Sequence, residues 1–211
     1  MCALPYPLSM AQPSVLCDTS LTADFPARDT LPQATISPAL WYIKNWNNGW
    51  GPRAYTYPPV APPAGCHPVQ WKRNRIIAVA KKYIGLPYQH HHIPDWDPPP
   101  QLTRRLNESK GLDCSNYTAW VYNYGLGIKF TSAIRAQANG PYAPGRILAH
   151  DEAFQPGDLL FILKRDRSKV SHVVIFLNKE EIIDSHGTGV KIRRFNGWYK
   201  THFSHARRII E

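Results

Sequence analysis

Residues 111–124 read GLDCSNYTAWVYNY, and the role of Cys114 in that stretch decides how the chain is understood. Asp113 suits the N-cap of a helix that opens at Cys114 and runs to residue 124, with Gly125 as its end. The spacing predicts Ala119, Tyr122 and either Trp120 or Val121 on its core face. A free cysteine in a globular protein is usually small apolar filler. In the first turn of a helix it meets something else: the positive end of the helix dipole and backbone N–H groups without helical partners. Both favour thiolate over thiol. The same N–H groups can hold an oxyanion once the sulfur attacks a carbonyl.

Such a nucleophile needs a general base, and the base needs an orienting group. His172 stands near the start of the apolar stretch SHVVIFL (171–177). Asp184 and His186 follow in EIIDSHG (181–187). Side chains alternate along a strand, so residues 184 and 186 share a face and either could meet the ring of His172. A single histidine at a strand edge is more commonly structural, and spacing alone leaves the choice open.

Outward from this centre, WKRNRIIAVAKKYIG (71–85) places Ile76, Val79, Ala80, Tyr83 and Ile84 on one helical face, with Gly85 as a stop. LPYQHHHIPDWDPPP (86–100) is loop. Beyond FQPGDLLFILK (154–164) the pattern turns to β, with strands expected at 158–164, 171–177, 181–186 and 190–195. NKEE (178–181) reads as a turn, and SHVVIFL, apolar on both faces, as a central strand. Helices first and strands after indicate an α+β domain.

Residues 1–70 read as an irregular arm and 71–211 as the catalytic domain. Seventeen of the 20 prolines lie before residue 101, too dense in the arm for long helices or central strands. Yet WYIKNWNNGWGPRAYTY (41–57) is too aromatic for a disordered tail and is expected to pack on the body, with stacking on sugar rings as the functional alternative. The whole net charge of +10 resides in residues 71–211 as short basic clusters, which suits an anionic partner. No nucleic-acid motif accompanies it, so nucleic acid is not the expected partner. No apolar stretch is long enough to span a membrane.

Cys2, Cys17, Cys66 and Cys114 lack zinc-type spacing, and one disulfide among the first three fits an oxidising compartment. The three adjacent histidines His90, His91 and His92 diverge too much to share one ion, even with His67 as a distant fourth ligand. They read as a surface loop, or as lining of a cleft. No metal or other cofactor is called for.

Six pieces, in order, resemble the NlpC/P60 cysteine peptidases, a papain-like family of cell-wall enzymes. They are GLPY (85–88), LDCSNYTAWVY (112–122), TSAIRAQ (131–137), FQPGDLLFI (154–162), SHVVIFL (171–177) and IIDSHGTGVKI (182–192). The resemblance implies helices packed on a central antiparallel sheet, with Cys114 as nucleophile and His172 as general base. It implies Asp184 as the third polar residue, where the family usually has His, Asn or Gln, and His186 keeps an alternative claim. Tyr88 matches a tyrosine whose hydroxyl approaches the nucleophile; Asp113, Ser115 and Arg135 are the further substrate-binding candidates. Asn116 stands where the family usually has glycine, which bears on the shape of the pocket.

The implied reaction is hydrolysis of an amide in peptidoglycan stem peptides, commonly the γ-D-glutamyl–diaminopimelate bond. A papain-like amidase or transglutaminase-like acyltransferase, or an inactive wall-binding module, are the competing readings. The implied location is the bacterial cell envelope, periplasmic or secreted. The start, MCALPYPLSMAQPSVLC, has no secretory signal, so a leader is expected to be missing from this chain, with Cys2 a candidate lipid-attachment site. Oligomeric state has no signature.

Overall fold

A computed structural model describes residues 13–31, 56–88 and 112–211. Helices α1 (Pro13–Thr19), α2 (Phe25–Asp29), α3 (Pro68–Lys82), α4 (Cys114–Leu126) and α5 (Ile134–Asn139) come first. Strands β1 (Arg146–Ile147), β2 (Leu159–Leu163), β3 (Val170–Phe176), β4 (Glu181–His186) and β5 (Gly189–Arg194) follow, then α6 (Gly197–Thr201) and β6 (Phe203–Arg208). The six strands form one sheet in the order β1-β6-β2-β3-β4-β5, with every pairing antiparallel. The fold is α+β, helices packed on an antiparallel sheet, as expected.

Strand β3 lies inside the sheet between β2 and β4. Its apolarity on both faces has a direct cause, because the sheet is covered on both sides. Val173 and Ile175 pack in the core built with α3 and α4, whereas Val174 and Phe176 enter a second cluster roofed by Phe154, Phe195 and Phe203. Burying each such side chain stabilises the fold by roughly 1.5–3 kcal/mol.

Helix α4 is the axis of the molecule. It is buried nearly all round, and Ala119, expected at its core face, is its least buried residue, while Tyr117, Val121, Tyr122 and Tyr124 are fully enclosed. Periodicity finds one apolar face; it does not reveal that neighbours cover the others. Nor does α4 stop at Gly125. It continues to Leu126 and ends on Gly127 at φ 69°, a left-handed cap. Gly125 instead serves close packing, since a Cβ there would lie 3.0 Å from Ile76 Cδ1 of α3.

Helix α3 buries Ile76, Val79 and Ala80 as expected, but Ile84 lies past its end and is 49% exposed. Its buried set also includes Arg75, whose guanidinium donates to Gly125 O (2.6 Å), Leu21 O (2.8 Å) and both oxygens of Asp24 (2.8 Å each). Arg28 in α2 donates to Tyr124 O (2.7 Å) and Pro58 O (2.9 Å). Cys17 and Cys66 form a disulfide across 49 residues. These ties fasten residues 13–31 to α3 and α4. Tyr57 is fully buried against Trp120 and Tyr124, with ring centroids 5.8 and 5.2 Å away. Most of the aromatic stretch 41–57, together with Cys2 and His90–His92, lies outside the described residues.

Strands β1 and β6 were not anticipated. The sequence of β6, FSHARR, reads as polar surface, but Arg207 is buried by donating to the carbonyls of Pro144 (2.8 Å), Ala138 (3.1 Å) and Gly145 (2.7 Å).

Candidate active site

Asp113 caps α4 through its side chain, Oδ1 accepting from Asn116 N at 2.8 Å and from Ser115 Oγ at 3.2 Å. The N–H of Tyr117 already bonds Asp113 O, so those of Cys114 and Ser115 stand outside the helical ladder at the positive end of α4. Gln137 of α5 fixes this turn, its amide donating to Ser115 O (2.8 Å) and Thr131 O (2.7 Å) and accepting from Thr118 Oγ1 (3.1 Å). Cys114 is buried and carries the free thiol among the described cysteines. Asn116 is also buried, with 7% of its surface exposed.

His172 reaches this helix end from β3. Its Nε2–H donates to Asp184 Oδ2 at 2.6 Å, and both residues are buried. Nε2 being engaged, Nδ1 is the ring atom left for the Cys114 sulfur, which interacts with this imidazole. Burial disfavours charge on the ring, yet the Cys114 sulfur and the Asp184 carboxylate outweigh it and raise its pKa to about 9. Asp184 behaves in the opposite sense. Burial alone would push its carboxyl up, but His172 and Arg193 hold it below the usual carboxylate range.

Between the two candidates on β4, hydrogen bonding separates Asp184 from His186. The His186 ring lies 4.9 Å from that of His172, centroid to centroid, and stacks on Trp198 at 5.9 Å, without a hydrogen bond to His172. Burial and the adjacent His172 lower its pKa.

Tyr88 is half-buried beside Asp113 and Cys114; burial first, then those two neighbours, push its phenol up to about 12. Its segment is fixed by Leu112 N–H donating to Pro87 O at 3.2 Å. Two bonds to β5 add to this, Gly85 N to Val190 O (3.0 Å) and Val190 N to Leu86 O (2.9 Å). Gly189 permits the approach, since a Cβ there would stand 2.3 Å from Leu86 O. Arg135 is the candidate not drawn in: it is exposed on α5, and no described hydrogen bond or ion pair ties it to Cys114, His172 or Asp184.

Two residues bearing on the site were not anticipated. Arg193 Nε donates to Asp184 Oδ1 at 2.6 Å and Tyr199 OH donates to Asp184 Oδ2 at 2.9 Å. The signal for Arg193 was present. HGTG (186–189) is a two-residue hairpin turn, and pairing outward from it sets Lys191 opposite Asp184 and Arg193 one diagonal step away. Tyr199 had no such signal, because it comes from the short helix α6.

Among the described residues, no group of three His, Cys, Asp or Glu side chains could hold a metal ion. Nor is any described helix long and apolar enough to cross a membrane.

A cysteine at the N-terminus of a helix, an imidazole from the sheet against it and a buried carboxylate behind that imidazole make this a papain-like arrangement. More narrowly, the chain belongs to the NlpC/P60 family, whose model matches residues 103–208. It is 32% identical over 128 residues to a probable endopeptidase p60 of Listeria grayi, covering 59% of this chain and 20% of that protein. It is 31% identical over 104 residues to the probable endopeptidase YafL of Escherichia coli strain K12, covering 48% and 41%. The chain thus spans well under half the length of these relatives. The solved peptidoglycan hydrolase RipB of Mycobacterium tuberculosis shares the fold at TM-score 0.51 and 21% identity, over 68% of this chain and 67% of that one. The P60 domain of an antigen from Mycobacterium avium subspecies paratuberculosis does so at TM-score 0.51 and 19% identity, over 68% and 98%.

Proposed function

We propose that this protein is a cysteine peptidase that hydrolyses amide bonds in peptidoglycan stem peptides, of the γ-D-glutamyl–diaminopimelate type, in the bacterial cell envelope. The observation that carries the reading is the buried 2.6 Å bond from His172 to Asp184, with the same imidazole engaging Cys114 at the start of α4. In this mechanism the Cys114 thiolate attacks the amide carbon. The Cys114 N–H, outside the helical ladder, bonds the developing oxyanion. The imidazolium of His172 protonates the departing amine, leaving a thioester on Cys114. The neutral imidazole then takes a proton from water, whose attack releases the acid and restores the thiolate beside the imidazolium.

Asp184 orients the ring and stabilises its charged form. Tyr88, Asp113 and Ser115 line the mouth beside the sulfur, and Arg135 would meet only a substrate extending along α5. Residues 71–211 carry the chemistry, and the described parts of the arm, 13–31 and 56–70, pack on them.

The test is digestion of purified peptidoglycan and of a short muropeptide by the wild type and by Cys114→Ala, with products identified by mass spectrometry. A new amine and a new carboxyl end, absent with the variant, are expected. Products extended by an added amine would indicate acyl transfer instead. No product from either substrate would sink the peptidase reading.

A further inference from the structure

Three donors from three elements converge on Asp184, which is fully buried: His172 from β3, Arg193 from β5 and Tyr199 from α6. Arg193 occupies Oδ1, and His172 and Tyr199 share Oδ2. A carboxylate enclosed without a cation takes up a proton rather than bear its own desolvation. A neutral carboxylic acid in that place would neither hold the imidazole as firmly nor favour its charged form. The guanidinium is itself fixed, its Nη2 donating to His186 O (3.2 Å), Gly189 O (3.2 Å) and Thr188 Oγ1 (3.4 Å). The β4–β5 turn therefore decides where Nε points.

Resting on the cysteine-peptidase reading, we propose that Arg193 and Tyr199 are positioning residues that keep Asp184 ionised and aimed at His172. Both act through Asp184. Arg193 supplies charge and a hydrogen bond; Tyr199 supplies a neutral hydrogen bond, so its share is smaller. Around Asp184 stand His172, His186, Arg193, Tyr199 and, from α4, Tyr117, with Lys191 opposite it in the register and exposed. Cys114 faces His172. Of these, Arg193 brings a permanent charge to the carboxylate, beside the titratable imidazole of His172.

Alkylation of Cys114 by iodoacetamide, followed against pH in the full chain, tests this without any substrate. Cys114→Ala gives the background from other thiols. Arg193→Met should move the acid limb upward by about one pH unit, which is about tenfold slower labelling on that limb. Arg193→Lys should recover most of the shift, and Tyr199→Phe should move the limb the same way by about threefold in rate. An Arg193→Met profile superimposed on the wild type overturns the proposal. So does a uniform slowing at all pH values that Arg193→Lys does not relieve, the pattern of a merely structural loss. Should Arg193→Met fail to fold, the Tyr199→Phe profile decides, and an unmoved limb there overturns it. Shifted limbs without peptidoglycan cleavage would sink the substrate reading and leave this inference standing; cleavage with unmoved limbs would do the reverse.

Discussion

His172 and Asp184 sit on adjacent antiparallel strands twelve residues apart, and a single 2.6 Å hydrogen bond joins the two buried side chains. That bond, with the sulfur on the other side of the ring, makes the imidazolium the resting form at neutral pH.

The pH dependence of activity follows from these two groups. Raised to about 9, the His172 pKa keeps the proton for the leaving amine available through neutrality, and activity should fall as pH rises through about 9. Because the Asp184 carboxyl is held below its usual range, the loss caused by its protonation should lie below the ordinary carboxylate range. Stability carries the same signs: the His172 contribution is whole below its unfolded value and lost through about 9, whereas that of Asp184 is lost as pH falls through its lowered value. Profiles of kcat/KM and of denaturation midpoint against pH check both.

Asp184 and His186 are separated by mutation. Asp184→Asn should cut kcat by about 10²-fold or more through loss of the charge behind the ring. His186→Ala should cost less than about tenfold, since its ring makes no hydrogen bond to His172. Equal losses in the two variants would contradict the geometry.

Gly189 should tolerate no side chain. Its φ is 92° and a Cβ would stand 2.3 Å from Leu86 O, so Gly189→Ala strains the turn and pushes away the segment carrying Tyr88. A destabilisation of about 1–3 kcal/mol is expected by chemical denaturation, with activity reduced in the fraction that still folds.

Arg75 should be among the most sensitive positions far from the sulfur. Arg75→Met strands Gly125 O and Leu21 O and leaves Asp24 without its closest cation. Carbonyls left unpaired cost about 1–3 kcal/mol, read as a lowered denaturation midpoint.

Loss of the Cys17–Cys66 bridge should be felt mainly as stability. Across a 49-residue separation the chain-entropy model gives about 4 kcal/mol for Cys17→Ser with Cys66→Ser. The paired variant should melt earlier yet keep a normal alkylation profile at Cys114, since neither cysteine touches the site.

Local pattern alone made legible the helix beginning at Cys114, the Asp113 cap, four of the six strands and the interior place of β3. Each depends on neighbours within a few residues, through period, capping chemistry or turn signals, and such information is written along the chain. The six pieces in family order then gave the papain-like fold.

The tertiary structure decided what depends on partners far apart in sequence. It placed Asp184 and not His186 in hydrogen-bond contact with His172, because two side chains sharing one strand face differ only in which meets the imidazole nitrogen. It brought in Tyr199 from a short helix, paired Cys17 with Cys66, buried α4 nearly all round and moved its end from Gly125 to Gly127. Periodicity records what one residue prefers. Hydrogen-bond choice and close packing depend on the distance between two, and that distance exists only once the chain has folded.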